Sequence, residues 1–123
     1  MEQYEYNPPT GKEIEQAQLR LNFEFTKEYV EFIKSGYDLG DSTLEALEIC
    51  SPNSHVDIYS VNEFAKGYSD IPEEGLIICE DNGDYFYLMP SGLVRFWSHN
   101  GFTDEAWADV SAWVEAMKAE ADQ

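Results

Sequence analysis

No stretch of the chain approaches the run of about 18 consecutive apolar residues that a membrane-spanning helix needs, because charge interrupts every hydrophobic segment. No membrane span is expected. Basic residues are scarce, with 7 Lys and Arg against 25 Asp and Glu and a formal charge of −18. Bare nucleic acid and anionic lipid surfaces are therefore not expected partners. Cysteine is nearly absent. Cys50 and Cys79 form no Cys-x-x-Cys pair and have no companion His at zinc spacing, so neither a zinc site nor a disulfide framework is indicated. Both are expected as buried free thiols. The 2 histidines stand in Ser54-His55 and Ser98-His99, where adjacency to Ser does not make a triad, and no Gly-x-Ser-x-Gly elbow or phosphate-binding Gly loop is present. They are expected as surface imidazoles, with no catalytic residue, metal or cofactor. The opening MEQYEYNPPTG has no basic segment followed by an apolar run, so no secretory leader is read and the cytoplasm is the expected compartment.

What is present is a folding composition. The 123 residues are 43% apolar and 15% aromatic, unlike acidic disordered tails, which carry few aromatic or branched side chains. A chain of this length buries about two-thirds of the surface that it exposes when unfolded, enough for one core. Residues 1–9 read as a polar arm closing on Pro8-Pro9, and residues 10–123 as a single domain.

Thr10 and Glu13 form a capping box that predicts a helix ending near Asn22, with Ile14, Ala17 and Leu21 on one face. Thr26 is placed to cap a second helix that turns Tyr29, Phe32 and Ile33 inward and stops at Gly36. A loop over 38–43 leads to an imperfect strand over 44–49. Val56, Ile58 and Tyr59 read as extended, with Ser60 and Glu63 as the capping box of a short helix that ends near Gly67. Leu76-Ile77-Ile78-Cys79 is a short apolar run suited to a strand buried on both faces. Thr103 is expected to cap a last helix bearing Trp107, Val110, Trp113, Val114 and Met117.

From the end of that apolar run toward the last helix comes CEDNGDYFYLMPSG, residues 79–92, in which an acidic Gly turn precedes a dense aromatic segment. As a calcium loop counted from Asp81 it fails, because Gly83, Tyr85 and Gly92 occupy the third, fifth and twelfth positions, where oxygen ligands are required. Asp81 and Asp84 as a catalytic pair would flank an exposed turn, where water keeps both ionised. Asn82-Gly83 instead supplies the two positive-φ residues of a type I′ hairpin, and Pro90-Ser91-Gly92 a second turn before Leu93-Val94-Arg95-Phe96-Trp97. An antiparallel meander follows. Alternation puts Tyr85 and Tyr87 on one face, and Phe86 and Leu88 on the other. The same half of the chain is acidic: from Gly67 to Met117, Arg95 faces Asp70, Glu73, Glu74, Glu80, Asp81, Asp84, Asp104, Glu105, Asp109 and Glu115. Aromatics interleaved with carboxylates suit a surface that engages a basic protein.

The order of short segments resembles the SUKH superfamily, shared by fungal cell-wall-assembly regulators of the Smi/Knr type and bacterial immunity proteins. It is carried by Ile14-Glu15, by Phe23 and Phe25 before Tyr29-Val30-Glu31-Phe32-Ile33, by Ile58-Tyr59-Ser60-Val61-Asn62-Glu63, and by Ile71-Pro72 with Gly75-Leu76-Ile77. It continues through Glu80-Asp81-Asn82-Gly83-Asp84-Tyr85 and Gly92 with Val94-Arg95-Phe96-Trp97-Ser98-His99. Residues 10–117 are covered. Where the family often has Pro ahead of the second helix, this chain has Thr26. The resemblance implies an α+β domain with a central antiparallel sheet flanked by N-terminal helices and a C-terminal helix. It implies no enzymatic activity and, in bacteria, the neutralisation of a protein toxin, often a nuclease. A basic toxin is then the expected partner, met by Asp57, Tyr59, Glu80, Asp81, Asp84, Tyr85, Tyr87, Trp97 and His99. A cytoplasmic scaffold or regulator of the same fold is the alternative, and a small hydrolase a more distant one.

Overall fold

The computed structural model describes residues 8–101 and 103–122. The expected arm, residues 1–9, lies outside these apart from Pro8 and Pro9. The first two helices form where their caps are. In α1 (Gly11–Leu21) the Thr10 hydroxyl accepts from the Glu13 amide at 3.2 Å and the Glu13 carboxylate from the Thr10 amide at 2.9 Å. Asn22, at φ 51°, closes it in the left-handed conformation that Asn tolerates. Thr26 caps α2 (Lys27–Lys34), which buries Tyr29, Phe32 and Ile33.

Five antiparallel strands follow in sequential order: β1 (Glu45–Ala46), β2 (Leu76–Asp81), β3 (Asp84–Leu88), β4 (Val94–Trp97) and β5 (Ala106–Trp107). The β2 segment Leu76–Cys79 is buried throughout, as an apolar run without alternation requires. With α3 (Ile58–Lys66) and α4 (Val110–Ala121), the fold is α+β, a sheet flanked by helices.

Three expected elements differ from the structure. The strand over 44–49 shrinks to two residues, because Glu48 leaves the sheet to bond Val56 and Ile58 on the backbone. Ile58 and Tyr59 are helical rather than extended. Asp57 caps α3, accepting from the Tyr59 amide at 3.3 Å and from the Ser60 hydroxyl at 2.7 Å, so the expected Ser60–Glu63 box does not form. An aspartate cap thereby overrides the strand-favouring Ile58-Tyr59 pair that follows it. The last helix starts at Val110 with Asp109 as its cap, not at Thr103. Thr103 instead donates to the Phe96 carbonyl at 2.6 Å, and Trp107 lies on the edge strand with its ring 5.7 Å from Phe86. Cys79 is buried as expected, whereas Cys50 is exposed.

The two faces of the sheet are covered unequally. On one face, Phe86 packs on Phe96 and on Trp113 of α4, and Trp113 packs edge-on against Phe32 of α2. Trp113 is fully buried, and truncating such a ring costs about 3–5 kcal/mol. The other face carries Ile77, Tyr85, Tyr87, Arg95 and Trp97 by register. Here α3 covers β2: Asn62 donates to the Ile77 carbonyl at 3.0 Å and accepts from its amide at 2.8 Å. The side chain thus bonds the β2 edge as a further strand residue would. In turn α1 lies against α3, with the Arg20 guanidinium 3.6 Å from the centre of the Tyr59 ring. Over β3 and β4, no helix covers this face among the described residues.

Candidate functional site

The uncovered half-face lies over β3 and β4, and one end of it is closed by the β2–β3 hairpin. Asn82 at φ 50° and Gly83 at φ 92° make its turn, with Asp81 opposite Asp84. Asp84 then holds the far end of β4, since one carboxylate oxygen accepts from the His99 amide at 3.0 Å and lies 2.6 Å from His99 Nδ1. That pairing places the imidazole proton on Nδ1.

From this anchored end an aromatic series runs outward. Tyr85 stacks on Trp97 at 5.8 Å, Trp97 meets Tyr68 edge-on at 6.1 Å, and Tyr68 meets Phe64 edge-on at 5.2 Å. Exposure rises along it, from 5% at Tyr85 to 52% at Tyr68 and 71% at Phe64, so the series begins in the core and ends in solvent. The Tyr68 and Tyr85 hydroxyls share a hydrogen bond of 2.8 Å. Burial first, then that bond and the nearby Glu80 and Asp84, push the Tyr85 phenol well above its ordinary value. Beside this series Tyr87 lies over Gly75, where an added Cβ would come within 3.1 Å of the ring. Tyr87, Arg95, Trp97, His99 and Asp70 surround a cavity of about 350 Å³.

The expected contact residues do not all meet. Tyr87, Trp97, His99, Asp84 and Glu80 belong to this end of the sheet. Tyr85 belongs to it only from beneath, being buried under Trp97 and Tyr68, which corrects the expectation of an available tyrosine pair. Asp81 turns to the other side and lines a recess with Phe86 and Met117. Asp57 is buried as the cap of α3, and Tyr59 is half-covered beneath Arg20. Phe64 and Tyr68 were missed. Their signal lay in spacing: the buried positions of α3 are Ile58, Asn62 and Ala65, which leaves Phe64 and the following i+4 aromatic off the inward stripe.

The exposed Cys50 thiol donates to the Glu13 carboxylate at 3.3 Å and is pushed up to about 11 by partial burial and that carboxylate. A thiol held protonated is a weak nucleophile. Among the described residues, no three His, Cys, Asp or Glu side chains come together to hold a metal ion, and no helix is long and apolar enough to cross a membrane.

Comparison with known proteins agrees with the fold. No curated protein matches the sequence. A crystal structure of a protein from Pseudomonas syringae pv. tomato superposes with a TM-score of 0.78 at 26% identity, over 89% of this chain and 81% of that one. The family model SUKH_5, described as SMI1-KNR4 cell-wall, matches residues 1–118. The chain therefore belongs to the SUKH superfamily.

Proposed function

We propose that this protein is a non-enzymatic immunity protein that neutralises a basic protein toxin, a nuclease being the best fit, by covering the toxin's cationic groove. Members of the superfamily are generally protein-binding rather than catalytic. The observation that carries the reading is the uncovered aromatic series, Phe64, Tyr68 and Trp97, beside Tyr87, with Asp70 lining the adjoining cavity, Glu80 opposite Tyr85 and Asp84 held to His99 at the end of the sheet. Clusters of exposed aromatic side chains are what protein interfaces bury at their centres, and a rim of one charge sign speeds the encounter with its opposite. A nuclease must attract phosphate, so a surface bearing carboxylates competes for the same cations.

The test is co-purification from the native cell followed by measurement with the captured partner. Phe64→Ala removes a ring that is 71% exposed and so leaves stability nearly unchanged, while weakening partner binding by about 2 kcal/mol if the ring is a central anchor. Leu19→Ala, equally exposed on α1, is expected to leave binding unaffected. Capture of a partner that Phe64→Ala and Leu19→Ala affect alike would sink the assignment of this face.

A second reading, a scaffold or regulator of the cell-wall-assembly type, is favoured by the description of the matched family model. The two part on one observation. An immunity protein rescues growth of cells that express the captured partner, whereas a regulator's partner is harmless alone.

A further inference from the structure

Arg95 is the one Lys or Arg between Gly67 and Met117, a stretch that holds ten acids. Among the described residues its guanidinium makes neither an ion pair nor a hydrogen bond. The strand fixes where it stands. On β4 it lies opposite Tyr87 of β3 and opposite Ala106 of β5, so one flank is an aromatic wall and the other a methyl group. It borders the cavity of about 350 Å³ whose walls include Tyr87 and Trp97, within the range of roughly 300–1,000 Å³ that small-ligand sites occupy.

We propose that this cavity binds a carboxylate carried next to an aromatic ring, with the carboxylate on the fork of Arg95 and the ring against Tyr87 and Trp97. A planar guanidinium with five N–H donors matches a carboxylate with two parallel hydrogen bonds, and Arg is the side chain best suited to make them partly out of water. Asp70 lines the same cavity without pairing to Arg95, and its charge opposes a second negative charge on the ligand. A monoanion is selected over a phosphate. The net charge of −18 repels any anion at long range, and salt removes that repulsion while leaving the short contact with Arg95 largely intact. Binding of the acid therefore holds or tightens as ionic strength rises to about 0.15 M, where the Debye length is about 8 Å. A basic protein on the same face shows the opposite trend, so the two readings stand or fall separately.

The experiment is titration of the full chain with phenylacetate and with N-acetyl-glycyl-phenylalanine, following the Trp97 indole and Arg95 side-chain N–H signals by NMR. Phenylacetamide and the peptide amide serve as uncharged counterparts. The acids are expected to shift both signals saturably, the amides to bind at least about tenfold more weakly, and Arg95→Gln to abolish the difference. Arg95→Lys, which keeps the charge but not the fork, is expected to fall between. Saturation by the peptide acid alone assigns the site to a chain terminus; saturation by phenylacetate as well assigns it to small acids. Acids and amides that shift the signals alike, no shift with either acid, or unchanged acid binding in Arg95→Gln would each overturn the proposal. The acid-against-amide comparison decides in the unmodified protein even where a variant does not fold.

Discussion

At the scale of single residues, Tyr85 shows how a side chain chosen for its chemistry in the sequence acquires another role in the fold. Its phenol is buried and bonded to Tyr68, and its folded-state value lies above the ordinary 10.0. A group whose folded value is raised contributes stability that is complete below the unfolded value and is lost as pH climbs beyond it toward the folded one. Alkaline unfolding is thus expected to begin above pH 10, with Tyr85, like the partly buried Tyr59, ionising late in absorbance at 295 nm. Tyr68→Phe removes the shared bond and is expected to bring the Tyr85 ionisation earlier, though not to the ordinary value, since burial remains. An unchanged titration curve in Tyr68→Phe would show that the bond does not hold the proton. Alternation along β3 correctly grouped Tyr85 with Tyr87. It could not tell that Trp97 and Tyr68 cover the first and leave the second half-open, because coverage depends on where α3 ends in space.

At the scale of elements, caps and edge bonds decide more than propensity. Asp57→Ala is expected to cost about 1–2 kcal/mol, since it frees the Tyr59 amide and the Ser60 hydroxyl at the start of α3. Asn62→Leu is expected to cost more, about 3 kcal/mol, because it leaves the Ile77 amide and carbonyl buried without partners. Urea unfolding midpoints check both, and equal losses would mean that Asn62 does not complete the β2 edge. Helices α1 and α2 and the β2–β3 hairpin were legible because Thr10-Glu13, Thr26 and Asn82-Gly83 each satisfy a local rule that nothing distant opposes. The starts of α3 and α4 were misplaced by a few residues for a shared reason. Ser60 and Thr103 are good local caps, but each hydroxyl is drawn elsewhere, to Asp57 and to the Phe96 carbonyl. The choice between neighbouring cap residues is made by tertiary bonds that a linear pattern does not contain.

At the scale of the whole molecule, the charge of −18 makes its own prediction. Association with a basic partner is expected to slow by about tenfold or more between low salt and 0.15 M, through the encounter rate rather than the dissociation rate. Stopped-flow kinetics check this, and a rate indifferent to salt would remove electrostatic steering from the account. The sheet is closed off at both sides by strands of two residues, β1 and β5, too short to template the pairing of another chain. On the proposed function, a partner is therefore expected to meet side chains of the open half-face rather than a shared backbone ladder. Side chains that point away from the ladder can be replaced one at a time without disturbing the strands beneath them. Under the proposed immunity role, the same scaffold is then able to follow a changing toxin across generations, altering whom it binds while keeping how it folds.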